Sequence, residues 1–86
     1  MDKKKIQKVV REYILSGCGE MYVNAPSEAC KAYLEHTFAA ELYEADEYKR
    51  IRAELEKDLN KKDWEYLAKV NKNGPRKAYF LKMASE

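Results

Sequence analysis

Between Ser27 and Asn73 the chain contains neither glycine nor proline. Its five such residues, Gly17, Gly19, Pro26, Gly74 and Pro75, all stand outside that stretch. Glycine and proline are the strongest local punctuation, and a chain of short strands needs a turn signal about every 8–12 residues. A middle section of this length without one favours helix over sheet. The flanking segments, 16–30 and 71–86, are then the places where the chain can turn.

Apolar spacing supports helices. Ile6, Val9, Val10, Tyr13 and Ile14 fall at i, i+3, i+4, i+7 and i+8, one stripe of a helix. Asp2 can cap that helix and Gly17 can end it, which predicts a first helix over 3–16. Cys30, Leu34, Thr37, Phe38, Leu42 and Ala45 make a second stripe, continued by Tyr48, Ile51, Leu55 and Leu59. An unbroken helix over 27–60 would be about 50 Å long, too long for so small a chain to cover. A break at 44–47, with Asp46 as cap, is therefore expected. Asn60 or Asp63 can cap a last helix carrying Trp64, Leu67, Ala68 and Asn71, which Gly74 and Pro75 would stop.

The expected fold is mainly α, a single domain over 1–86 with three to four helices. Its core is Ile6, Val10, Ile14, Leu34, Phe38, Leu42, Ile51, Leu55, Trp64 and Leu67. The apolar alternation in 77–83 and the short run Met21–Val23 suggest one addition, a two-stranded antiparallel ribbon pairing 20–23 with 77–83.

The net charge of +2 conceals a segregation. Segment 1–12 carries five basic and two acidic residues, 20–47 one and seven, 48–62 six and three, and 63–86 five and three. An acidic segment thus lies between basic ones, and such segments either neutralise each other on packing or present faces of opposite sign to a partner. Lys8, Arg11 and Glu12 interrupt the first apolar stretch, and no run approaches the ~18 apolar residues of a membrane span. The expectation is a cytoplasmic protein with reduced thiols and no membrane partner.

No catalytic or metal set can be assembled. Cys18, Cys30 and His36 lack the close ligand pairs of zinc sites. Cys30 would sit in the first turn of a helix, where a thiol can be activated, but His36 lies two turns on and round the far side. Cys30 is read instead as a core residue and Cys18 as a loop thiol. The G-x-G of "SGCGE" follows a helix and lacks the rest of a phosphate-binding fingerprint, so its glycines are read as turn residues. No cofactor is expected. The carboxylates Glu41, Glu44, Asp46 and Glu47 are read as a solvated face.

Two surfaces remain. Arg50, Arg52, Lys61, Lys62, Arg76 and Lys77 suggest nucleic-acid binding through an order similar to a helix-turn-helix with a basic wing. Asp63 and Glu65, in the first turn of the would-be recognition helix, count against it. The ten aromatic residues exceed what so small a core buries, and Tyr43, Tyr48, Trp64, Tyr66 and Tyr79 are the candidates for a protein interface. A non-enzymatic interaction or regulatory module, binding a protein partner or a second copy, is the first expectation. A small DNA-binding regulator is the alternative.

Overall fold

The computed structural model describes residues 3–17, 19–71 and 74–86. Among these it contains six α-helices and no strand: α1 Lys3–Leu15, α2 Glu20–Val23, α3 Glu28–Phe38, α4 Ala45–Glu56, α5 Lys61–Val70 and α6 Gly74–Ser85. One 3-10 turn, Ala40–Leu42, lies between α3 and α4. The mainly α class holds, with more and shorter helices than the periodicity suggests.

The two glycines after α1 have different tasks. Gly17 adopts φ +88°, the left-handed conformation that ends a helix at little cost only for glycine. Gly19 is buried, and a Cβ there would overlap the Cα and Cγ1 of Ile14. Its missing side chain lets the chain double back along α1. Cys18 falls outside the described residues, so its assignment as a loop thiol does too.

The proposed ribbon is not formed. Residues 20–23 are a single helical turn, held by the Val23 N–H to the Gly19 carbonyl and the Asn24 N–H to the Glu20 carbonyl, each at 3.0 Å. Residues 77–83 belong to α6. Their aromatic and aliphatic side chains fit two periods, and packing selects 3.6: Phe80 and Ala84 are buried, Tyr79 and Met83 half-buried, and Leu81 points out at 53% exposure. Pro75 sits in the first turn of α6, where its missing N–H has no helical partner to lose, so it opens this helix as much as it closes the last.

The break in the long central stretch falls earlier than expected. α3 ends at Phe38 and α4 begins at Ala45, with Glu44 at the N-cap and no side-chain cap; Asp46 lies inside the first turn. The cause is tertiary. α4 folds back on α3 so that the His36 and Tyr48 rings stack 4.4 Å apart and His36 Nε2 donates to the Tyr48 carbonyl at 3.0 Å. In a continuous helix those residues would be about 18 Å apart.

The starts of α3 and α5 are fastened to each other. Ser27 caps α3 by accepting from the Cys30 N–H, and its hydroxyl donates to Asp63 Oδ1 at 2.8 Å. Asp63 completes a capping box with Asn60: its N–H donates to Asn60 Oδ1 at 2.9 Å, and its Oδ2 accepts from the Asn60 N–H at 3.0 Å. At 1% exposure this carboxylate has its bonds inside the protein, not in solvent.

Around these joints packs one core: Val10, Cys30, Tyr33, Leu34, Phe38, Trp64, Leu67, Ala68, Phe80 and Ala84. Five expected core residues are buried there. Ile6 and Leu55 pack against its edge, Leu42 and Ile51 are half-buried, and Ile14 lies 42% exposed at the end of α1.

Candidate functional site

Glu56, in the last turn of α4, joins side chains of three helices beside a cleft. The Tyr33 hydroxyl, from α3, donates to Glu56 Oε2 at 3.0 Å. The Tyr79 hydroxyl, from α6, donates to Oε1 at 2.9 Å and to Oε2 at 3.1 Å. Arg52, one turn back along α4, reaches the same carboxylate through Nε at 3.6 Å and lies 5.9 Å from the centre of the Tyr79 ring. One carboxylate thereby ties three helices together.

Burial and these bonds together hold both phenols in the protonated form. Burial, then the Glu56 charge, pushes the Tyr33 hydroxyl far above the usual tyrosine range. Burial and the bond to Glu56 also push Tyr79 up, against a smaller opposing effect of Arg52. Neither ring can turn away without leaving Glu56 short of a donor.

Above this network lies a cleft of about 280 Å³ between α3, α4 and the start of α6. Tyr33 and Thr37 line it from α3, Tyr48 and Arg52 from α4, and Pro75, Arg76, Tyr79 and Phe80 from α6. The Thr37 hydroxyl is spent on the Tyr33 carbonyl at 3.0 Å. The volume lies just below the ~300–1,000 Å³ of small-molecule sites. Tyrosine and arginine are the residues that most often anchor protein contacts.

Of the eleven residues singled out by sequence, four meet here: Arg52, Arg76, Tyr48 and Tyr79. Tyr43 lies beside them, its ring 4.8 Å from His36 and 6.4 Å from Tyr48. Tyr66 is elsewhere, in a second cleft with Met21 and Val70, its hydroxyl donating to the Met21 carbonyl at 2.5 Å. Trp64 is a core residue at 5% exposure and offers no face to a partner. Arg50, Lys61, Lys62 and Lys77 are exposed and line none of the described clefts.

Sequence reasoning missed Tyr33 and Glu56. Glu56 carried a signal, since it follows Arg52 at i+4. Tyr33 carried none, because its partner is 23 residues away.

Cys30 is fully buried, as expected for a core residue. Its thiol is pushed up to about 11, by burial first and the Asp63 charge second, so desolvation overrides the activation a helix start can give. Among the described residues there is no group of three metal-ligating side chains, and no helix is long and apolar enough to cross a membrane.

No protein-family model, no curated protein and no solved structure matches the chain.

Proposed function

We propose that this chain is a non-enzymatic protein-interaction module that holds its partner in the α3–α4–α6 cleft. The supporting observation is the Glu56 network, which braces a cleft lined by tyrosine and arginine. Bracing of this kind lowers the entropic cost of binding. A charged surface and a free, buried thiol suit a cytoplasmic setting.

The DNA-binding alternative draws on Arg52 and Arg76 meeting in one cleft. It lacks two parts of the expected motif. Asp63 and Trp64, in the first turn of α5, are buried, and the segment after Gly74 is a helix where a wing was expected.

Photo-crosslinking in the expressing cell tests the reading. Benzoylphenylalanine at position 77, exposed and next to Arg76, should give a discrete protein adduct that Arg76→Ala, a change on the exposed first turn of α6, abolishes at unchanged folding. The same group at position 8, on α1, should give none. Absence of any adduct at position 77 would refute the proposal, and an adduct with nucleic acid would replace it with the alternative.

A further inference from the structure

We infer that the outer face of α1 docks on an anionic lipid surface: Lys5, Lys8 and Arg11 meet the headgroups, and Leu15 enters the apolar edge of the bilayer. This stands apart from the α3–α4–α6 cleft, because none of these residues lines it.

Packing uses only one side of α1. Val10 is buried, Ile6 and Val9 pack against the core, and the Tyr13 ring stacks on Phe38 at 4.5 Å. Lys8, Arg11 and Leu15, at i, i+3 and i+7, run along the opposite side. Lys8 and Arg11 are exposed there, and Leu15 is 80% exposed. Lys5 is exposed on the flank of that side, as is Glu12, the one carboxylate of the helix. Three cations thus stand against one anion. Lys4 shares the row but already has an interaction within the protein, and the charge invoked here leaves it out. At the end of the row the surface turns aliphatic. Ile14 is 42% exposed next to Leu15, and Val23, 59% exposed, closes the turn that doubles back from Gly19 against Ile14.

Charge complementarity calls for an anionic partner, and the aliphatic end selects a bilayer among the anionic surfaces. A nucleic-acid backbone would use the cations alone and gain nothing from Leu15. A protein partner would be anchored by aromatic and arginine side chains seated in pockets, whereas this side is the convex outside of a helix. A bilayer offers both parts at once: negative headgroups for the cations, and acyl chains just beneath for the leucine. Reversible docking takes an electrostatic and an apolar contribution together, and α1 presents both on one row. Its packed side stays on the protein, so docking does not open the fold. The expectation of no membrane partner rested on the lack of a spanning segment, and a helix that lies on a surface needs none.

The test is flotation of the intact chain with two sets of vesicles, one of phosphatidylcholine alone and one with about a third phosphatidylserine. The chain should float with the anionic vesicles and stay behind with the neutral ones. Lys8→Gln combined with Arg11→Gln should lower the partition about 25-fold, roughly fivefold for each cation. Lys61→Gln combined with Lys62→Gln removes the same charge from exposed residues of α5 and should leave the partition within about twofold. Leu15→Ser should lower it about threefold with the charge untouched. Leu15→Trp should raise it, a gain that loss of folding cannot imitate.

No flotation with the anionic vesicles overturns the inference. So does an equal loss in the two charge variants, which would mean attraction by net charge alone. Indifference to both changes at Leu15 also overturns it and leaves α1 a plain polyanion surface. Equal flotation with neutral vesicles overturns it by making the cations dispensable. None of these results bears on a protein adduct at position 77, so this inference and the cleft reading fail separately.

Discussion

Replacing Glu56 by Ala removes the acceptor on which Tyr33 and Tyr79 converge. Tyr33 is 3% exposed, so its orphaned hydroxyl has no water to turn to, a loss of about 2 kcal/mol. Tyr79 is half-buried and can find water, which limits its loss to about 0.5–1 kcal/mol. The Arg52 pair is long and partly exposed and adds about 0.3–0.5 kcal/mol. The expected cost is about 3 kcal/mol, out of the ~4–13 kcal/mol that a chain of this size commands. Melting should fall by roughly 12–24 °C. Glu56→Gln, which keeps an acceptor of the same shape, should cost about 1 kcal/mol. Urea unfolding followed through Trp64, the single tryptophan, reads both variants. Combining Glu56→Ala with Tyr33→Phe should cost less than the sum of the two single changes, because the second change removes the orphan that the first creates. Additive costs, or an Ala variant within about 0.5 kcal/mol of the parent, would refute the network as described.

Other perturbations probe other joints. Gly19→Ala should destabilise by about 1–3 kcal/mol through overlap with the Ile14 backbone, whereas Gly74→Ala, with open space around it, should be near neutral; comparison of their thermal melts checks this. Asp63→Ala should cost about 2–3 kcal/mol and couple to Ser27→Ala in a double-mutant cycle, since one hydrogen bond joins the two helix starts. Tyr22 is pushed up to about 12, by its 2.5 Å bond to Glu35 first and burial second. Its raised value means the unfolded chain ionises first, so the stability it contributes is complete below about pH 10 and is lost as pH rises through 12. Tyr22→Phe should accordingly be less stable than the parent below about pH 10, with the difference narrowing as pH rises through 12, which melts of both taken across that range would check. Cys30 should resist alkylation at pH 8 until urea unfolds the chain, and fast labelling of the native protein at position 30 would contradict its burial.

What could be read in advance, and what could not, divides along a physical line. The limits of α1 and the start of α5 are written in local chemistry: a stripe with Gly17 after it, and Asn60 three residues before Asp63. The fold class followed from the stretch without breakers. α6 was misread because its aromatic run satisfies two periods at once, and only the buried faces of Phe80 and Ala84 decide between them. The break after Phe38 carries no glycine or proline, because it is imposed from outside by the stacking of Tyr48 on His36. For the cleft, the arginines and tyrosines were visible one by one as binding-prone residue types. Their meeting was not, since Tyr33 and Tyr79 each lie 23 residues from Glu56 along the chain.

The joint at residues 39–44 separates the chain into two nearly equal lengths, α1–α3 and α4–α6. Several half-buried polar bonds cross from one to the other: Ser27 to Asp63, Tyr33 to Glu56, His36 to Tyr48, and Tyr66 to Met21. Each half alone would lose these bonds and expose the apolar side chains that pack across the joint. A chain cut at the joint should reassemble from its two pieces. Two intact chains that open there can trade halves without giving up one of these bonds, so the contacts that make a single chain fold uniquely also set the terms on which two could interlock.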